Sequence, residues 1–229
     1  MKKKNDLNFF VLGFPNGGTT IINNIFNSIE NSFSLGEPHW LLRNEKSIDK
    51  VINLSTGSAK KYFLNIKQEE DIINTILNIK GMFLKGYKET YRDFDLNYCY
   101  NLFYKHYNLV DFIILINREP AMLFAKGNAS DKNKIPLMYK HFYEFSQLEK
   151  IIVIDYEEFT KGKIAYLNKK LFFKIDENLI IKNPNHYYGN HKAHNSTSIQ
   201  EAKNYSVDEK YIEIYNRALK YYKKIKNND

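Results

Sequence analysis

Short apolar runs alternate with longer amphipathic segments along this chain. Unbroken apolar runs, typical of strands buried on both faces of a sheet, occur at residues 9–12, 82–84, 112–116 and 151–154. Between them, apolar side chains follow helical spacing at residues 19–29, 69–79, 96–107 and 135–145. This alternation predicts an α/β fold, a three-layer sandwich with a central parallel β-sheet flanked by helices.

The rest of the chain adds a long loop and a final helix. Residues 183–200 are rich in Asn and His and have no periodicity, so we expect a flexible loop there. Apolar spacing returns at residues 211–222, which predicts a C-terminal helix over roughly residues 207–226. No repeat or sharp change of composition divides the sequence, and residues 1–229 are expected to form a single domain.

Charge and cysteine content narrow the class of protein. The net charge of +8 suits an anionic ligand, although no pattern for a specific nucleic-acid partner is present. Cys99 is the only cysteine, which excludes a disulfide framework. His186, His191 and His194 fit no zinc spacing, so no metal is expected. No apolar run approaches the roughly 20 residues of a membrane span, and the sequence favours a cytoplasmic protein.

The most informative segment is residues 9–20, FFVLGFPNGGTT. An apolar run leads into a glycine-rich turn, and two threonines open a helix. Glycines let the backbone approach a ligand closely, and the N–H groups of a helix start point at an anion. Gly13 and Gly18 have the spacing of the nucleotide-triphosphate loop G-x-x-x-x-G-K-[ST], but Thr19 stands where its lysine would be. The segment therefore predicts a P-loop-type phosphate-binding loop after the first strand, without the cation of an ATPase.

Two further candidates follow predicted strands. Arg118 and Tyr156 each come just after an apolar run, as the Gly13 loop does. Ligands bind at the carboxyl ends of parallel strands, so we expect all three to face one crevice. A planar guanidinium such as that of Arg118 suits bidentate binding of phosphate.

Five segments of the chain resemble segments of the sulfotransferases that depend on 3′-phosphoadenosine 5′-phosphosulfate (PAPS), and they occur in the same order along the chain as in that family. Residues 13–20 resemble the family's 5′-phosphosulfate loop, and residues 113–120 (IILINREP) resemble its strand ending in Arg-[DN]-Pro. Residues 37–39 (EPH), 152–159 (IVIDYEEF) and 188–192 (YGNHK) are similar to its acceptor-side Glu segment, its Tyr-Glu-Asp-Leu stretch and its late Gly-Asn-x-x-Arg loop.

The resemblance implies transfer of a sulfuryl group from PAPS. The acceptor would be a hydroxyl or amine on a carbohydrate or small metabolite, and the product would be adenosine 3′,5′-bisphosphate (PAP). At the position of the family's 3′-phosphate serine stands Lys126, with Ser130 as the nearest hydroxyl. The implied donor-binding residues are Pro15, Asn16, Gly17, Gly18, Thr19, Thr20, Arg118, Lys126, Ser130, Tyr156, Gly189, Asn190 and Lys192.

Catalysis in such an enzyme needs a cation and a base. Asn16 stands where the family has Lys or Arg, so another lysine must supply the charge. We expect Lys85 first, with Lys88 and Lys192 as the other candidates. The expected base is Glu37, followed by His39.

Two alternatives remain open from the sequence. The first is a P-loop nucleotide kinase or triphosphatase, with Asp155 after a strand as a magnesium ligand. The second is a catalytically impaired nucleotide-binding protein, because the loop cation is missing at Asn16.

Overall fold

Strands and helices alternate along the described residues, which are 6–39, 69–125, 129–181 and 198–227 of a computed structural model. The strands are β1 (Leu7–Gly13), β2 (Ser32–Gly36), β3 (Leu84–Thr90), β4 (Phe112–Asn117) and β5 (Ile151–Asp155). The α-helices are α1 (Thr19–Ser28), α2 (Glu69–Leu77), α3 (Leu96–Tyr107), α4 (Ala121–Phe124), α5 (Ile135–Ser146), α6 (Tyr156–Lys170) and α7 (Ile212–Asn227). Short 3₁₀ helices precede three of them at Asp93–Asp95, Lys132–Lys134 and Glu209–Tyr211.

Five of the described strands form one parallel sheet in the order β2-β3-β1-β4-β5, and helices flank it. The predicted α/β class is confirmed, and the arrangement is consistent with a three-layer sandwich. The register aligns Gly36 with Lys88 and Asn117 with Asp155. Gly36, Asn117 and Asp155 are the last residues of β2, β4 and β5, so the residues after them follow the carboxyl ends of these strands, where ligands of parallel sheets bind.

Two strands differ from the sequence prediction. β2 lay in no predicted strand, and β3 occupies Leu84–Thr90 rather than the apolar run at 82–84. Every residue of β3 is buried although its sequence, LKGYKET, carries two lysines. Buried charges require partners, and both lysines have one: Lys85 lies 2.9 Å from Asp6, and Lys88 lies 2.5 Å from Glu37. A search for apolar runs cannot find a strand of this kind.

The chain divides into two compact units. The first unit comprises Met1–Val11, Thr20–Glu89 and Asn178–Ser198, and the second comprises Leu12–Thr19, Thr90–Glu177 and Ile199–Asp229. The prediction of a single domain over residues 1–229 stays a prediction.

The start of the Gly13 loop is fixed by aromatic packing in the second unit. Phe14 is fully buried, stacks on Phe142 with ring centroids 4.0 Å apart, and lies 4.5 Å from the ring of Tyr139. Phe103 and Phe145 stack at 3.7 Å in the same unit. Such pairs stabilise a core beyond the area they bury, so the loop begins from a rigid base.

The core of the first unit is built in the same way. Phe9 meets Phe26 edge to face at 4.9 Å, and Phe10 lies 5.0 Å from Tyr87. β1 thus packs against α1 and β3 through its aromatic side chains. Among the described helices of the protein, none is both long and apolar enough to cross a membrane.

Candidate functional site

The loop between β1 and α1 leads directly into the helix. A tight turn is closed by the Gly17 N–H, which donates to the Phe14 carbonyl at 2.9 Å. Asn16 and Gly18 adopt positive φ angles of 56° and 95°. Thr19 then begins α1, whose first N–H groups have no partner within the helix. A glycine-rich turn followed directly by a helix N-terminus is an arrangement suited to an anion.

Tyr156 packs directly on this loop. A Cβ atom added to Gly18 would lie 2.1 Å from Cε2 of the Tyr156 ring. Both the positive φ angle and this contact require glycine at position 18. The structure therefore brings Tyr156, the first residue of α6, against the loop as the sequence analysis expected.

Arg118 joins the same group from the end of β4. Its Nη1 donates to the carbonyl oxygen of Asn16, and its Cζ lies 4.3 Å from the centroid of the Tyr156 ring. Its Nε lies 3.9 Å from Oε1 of Glu157. Arg118 is buried, with only 7% of the residue exposed. The loop, Arg118 and Tyr156 thus form one contiguous cluster within the second unit.

Beside this cluster lies a cavity of about 440 Å³, within the range of small-molecule sites. Arg118 and Glu119 line it from the end of β4, and Glu157 lines it from the start of α6. Tyr205 and Tyr215 contribute aromatic surface from the segment before α7 and from α7 itself. Of these five residues, Arg118 was predicted from the sequence and the other four were not.

Glu157 is a half-buried carboxyl group in the wall of this cavity. Burial and the nearby Asp155 raise its pKa, although backbone N–H groups and Arg118 oppose the shift. Its Oε1 accepts a hydrogen bond from the Glu119 N–H at 3.3 Å, and its Oε2 accepts one from the Tyr222 hydroxyl at 3.3 Å. A titratable group in a cleft whose pKa is shifted by burial is a candidate functional residue. The sequence signal was present, since Glu157 follows Tyr156 at the end of a strand.

Asp155 holds the structure together at the end of β5. Its Oδ1 caps α6 by accepting from the Glu158 N–H at 3.0 Å. Its Oδ2 accepts from the Tyr222 hydroxyl at 3.1 Å and lies 3.3 Å from the Lys226 ammonium. Both oxygens thus have protein partners, which does not favour Asp155 as a magnesium ligand.

In the first unit, Glu37 and Lys88 form a buried ion pair. Lys88 Nζ lies 2.5 Å from Glu37 Oε1, and the two side chains are 1% and 7% exposed. The Glu37 N–H also donates to the Lys88 carbonyl at 2.6 Å. Glu37 directly follows β2 and has a φ angle of 47°, in the left-handed region. Backbone strain in a non-glycine residue next to a buried charge is characteristic of functional sites.

His39 is placed beside this pair by Glu89. The His39 N–H donates to Glu89 Oε1 at 2.7 Å, and the imidazole is buried 6.2 Å from the Tyr87 ring. Glu89 lies on β3 next to Lys88 and was missed in the sequence analysis, because a polar residue inside an unpredicted strand gives no signal.

Lys85 does not lie where a catalytic cation is expected. It is the second residue of β3, near the amino end of the strand, and its ammonium contacts the Ile79 carbonyl at 2.6 Å and Asp6 at 2.9 Å. Ligands bind at the opposite ends of parallel strands. Lys88, the second candidate, is near the carboxyl end and contacts Glu37, so it replaces Lys85 as the preferred lysine.

The hydroxyl of Ser130 forms a hydrogen bond within the protein. It donates to Asp93 Oδ2 at 2.7 Å, and the Asp131 N–H donates to the same oxygen at 2.6 Å. Burial alone would raise the pKa of Asp93, but these hydrogen bonds lower it overall. A serine bound to a carboxylate is a poor partner for a phosphate, so the structure does not favour Ser130 as a donor-binding residue.

The remaining candidates lie outside the described residues. They are Lys126, Gly189, Asn190 and Lys192, together with the three histidines of residues 186–194. Among the residues that are described, no group of three His, Cys, Asp or Glu side chains is arranged to hold a metal ion. Pro15 and Thr20 flank the loop cluster and are half-buried.

Comparison with known proteins adds no family to this geometry. No protein-family model matches the chain, and no curated protein matches it at a significant level.

Proposed function

We propose that the protein is a sulfotransferase that binds PAPS at the Gly13 loop and transfers its sulfuryl group to a hydroxyl or amine acceptor. The observation that carries this proposal is the contact between Arg118 and the Asn16 carbonyl. It puts a buried guanidinium from the end of β4 directly on a glycine-rich loop that opens a helix. A ligand with two separate phosphate groups, such as PAPS, fits a loop and an arginine held side by side.

The residues of the cluster would bind different parts of the donor. Backbone N–H groups of Gly17, Gly18 and Thr19 would hold the 5′-phosphate, and the hydroxyls of Thr19 and Thr20 would supplement them. Arg118 would exchange its contact with the Asn16 carbonyl for the 3′-phosphate. Tyr156 lies over Gly18 and would keep the loop in its binding conformation.

For the transfer step we assign Glu37 as the base, with His39 as the second candidate and Lys88 as the cation. Glu37 would take the proton of the acceptor hydroxyl while the acceptor oxygen bonds to sulfur. The bond between sulfur and the 5′-phosphate oxygen breaks, and PAP leaves. Lys88 would stabilise negative charge in the transition state, as the loop cation missing at Asn16 does in the family that this chain resembles.

Two observations favour this function over a nucleotide kinase. Thr19 replaces the lysine that a triphosphatase loop needs, and both carboxylate oxygens of Asp155 are bound to protein groups. A kinase would need the loop lysine to bind the triphosphate and a free carboxylate such as that of Asp155 to bind magnesium.

A thermal-shift experiment distinguishes the two functions. We expect PAP to raise the melting temperature without magnesium, and ATP with magnesium to have little effect. Stabilisation by ATP with magnesium, but not by PAP, would contradict the proposal.

Turnover is tested with labelled PAPS and a panel of sugar, phenol and amine acceptors. We expect Glu37→Gln to lower transfer by about 100-fold or more, while PAP binding is retained. PAP binding without any transfer by the wild-type protein would indicate the catalytically impaired alternative. Transfer that survives both Glu37→Gln and His39→Ala would exclude our choice of base.

A further inference from the structure

The cavity beside Arg118 has two carboxylates in its wall. Glu119 accepts hydrogen bonds from the Tyr215 hydroxyl at 2.7 Å and from the Ala121 N–H at 2.9 Å. Burial, together with this bond to Glu119, raises the pKa of Tyr215 to about 12, so the phenol remains a donor. Glu157 accepts from the Glu119 N–H and the Tyr222 hydroxyl. A carboxylate offers about four acceptor sites, so each glutamate retains capacity for a further N–H donor.

Two positively charged residues, Arg118 and Lys203, also line the cavity. Arg118 directs Nη1 at the Asn16 carbonyl and lays its face on the Tyr156 ring, while its Nε stays 3.9 Å from Glu157. Lys203 is exposed to solvent. The half-buried carboxylates of Glu119 and Glu157 therefore favour a ligand that donates hydrogen bonds or carries positive charge.

The rest of the wall is apolar or aromatic. Met122 and Ile212 line the cavity from α4 and α7, and Val207 lines it from the preceding segment. Tyr205 and Tyr215 add ring surface, which binds both planar ligands and cations. The segment that carries Tyr205 is attached to α6, since the Ala202 N–H donates to Thr160 Oγ1 at 3.3 Å.

From the two carboxylates, the aromatic rings and the volume of about 440 Å³, we propose that this cavity binds a small aromatic compound bearing an amine. The ammonium group contacts Glu119 and Glu157, and the ring packs between the tyrosines and the apolar side chains. Binding of the amine in this cavity does not depend on sulfotransferase activity. The further role of such amines as acceptors rests on that proposed function.

The direct test compares three probes that share one phenol ring: tyramine, 4-ethylphenol and 3-(4-hydroxyphenyl)propionate. Calorimetric titration of the full chain is expected to show tyramine binding about tenfold more tightly than 4-ethylphenol, since hydrogen bonds to charged groups are the strong ones. The propionate should bind most weakly. Binding of the propionate as tight as that of tyramine would overturn the proposal, because the cavity would then select anions through Arg118.

Matched variants locate the tyramine site. Glu119→Gln and Glu157→Gln keep the shape and a hydrogen-bond acceptor while removing the charge, and each should abolish most of the tenfold preference for the amine. Glu213→Gln, on the exposed surface of α7, should leave it unchanged. A preference that survives both cavity variants would place the amine elsewhere and overturn the proposal.

PAP titrations separate this inference from the proposed function. If the wild-type protein binds tyramine but not PAP, the sulfotransferase assignment fails and the cavity assignment stands. If PAP binds and displaces tyramine, the cavity belongs to the nucleotide site and the amine assignment fails. Independent binding of both ligands supports the two proposals together.

Discussion

Arg118 in the second unit and Lys88 in the first unit are both buried cations beside a glutamate, yet they are held differently. Lys88 makes a direct ion pair with Glu37 at 2.5 Å. Arg118 distributes its contacts among the Asn16 carbonyl, the Tyr156 ring and Glu157, which lies 3.9 Å away. A direct pair compensates both charges, whereas a distributed cation can exchange one weaker contact for a ligand. The difference indicates that Arg118 can exchange a contact for a ligand, whereas Lys88 is held in place by its ion pair with Glu37.

Replacing each cation by methionine tests this difference and should give the largest effect. Lys88→Met leaves the Glu37 carboxylate buried without its ammonium partner and should lower the free energy of unfolding by about 3–5 kcal/mol. Arg118→Met should lower the free energy of unfolding by only about 1–2 kcal/mol, because Arg118 is held by a carbonyl and an aromatic ring and not by a tight ion pair. Chemical denaturation measures both values.

The control for this test is the double variant Glu37→Gln/Lys88→Met. Removing both charges should restore part of the lost stability, as expected when an unpaired buried charge is the cause. The comparison is wrong if Arg118→Met proves more destabilising than Lys88→Met.

Gly18 and Gly81 provide a smaller test of the loop beside Arg118. Both have positive φ angles, 95° and 76°, but an added Cβ would meet Tyr156 at Gly18 and nothing within 4 Å at Gly81. Gly81→Ala should therefore lower stability by about 1–2 kcal/mol from backbone strain alone. Gly18→Ala should lower it by about 2 kcal/mol more, from overpacking against the ring.

A double-mutant cycle isolates the contribution of the ring. In a Tyr156→Ala background, Gly18→Ala should be no more destabilising than Gly81→Ala. An unchanged cost in that background would mean that Tyr156 does not hold the loop.

The smallest expected effect is a difference in pH dependence between two neighbouring glutamates. Burial and Asp155 raise the pKa of Glu157, whereas hydrogen bonds from Lys226 and Lys161 lower the pKa of Glu158. The contribution of Glu157 to stability is thus present below pH 4.5, its unfolded value, and is lost as the pH rises through the higher folded pKa. Glu158 contributes in the opposite direction, above its unfolded pKa.

Unfolding measured between pH 4 and pH 8, at intervals of about one unit, checks these signs. Glu157→Gln should flatten the decline in stability as the pH rises, and Glu158→Gln should steepen it slightly. The same slope for both variants would show that Glu157 is as well compensated as its exposed neighbour.

The predictable part of the fold is the part that apolar patterning controls. β4 and β5 match the apolar runs at 112–116 and 151–154 within one residue, and α3 matches the helical spacing at 96–107. β2 (SFSLG) has no continuous apolar run, and most of β3 was not predicted because its two buried lysines are stabilised by partners distant in sequence. Lys88 pairs with Glu37, 51 positions away, and no local pattern encodes that contact.

The candidate site follows the same rule. The order of strands and loops was enough to predict that Arg118 and Tyr156 belong with the Gly13 loop. The sequence did not show that Ser130 binds Asp93 or that Lys85 lies near the amino end of its strand. It also missed Glu119 and Glu157 as cavity residues, since their approach depends on how α4, α6 and α7 pack.

Calorimetric titration with PAP, without magnesium, is the most direct test of the central assignment of Arg118 and the Gly13 loop. The wild-type protein should bind PAP with one site, and Arg118→Ala should abolish detectable binding. Arg217→Ala, which removes an exposed arginine of α7, should bind like the wild type. Equal PAP binding by the Arg118→Ala variant and the wild type would contradict the assignment.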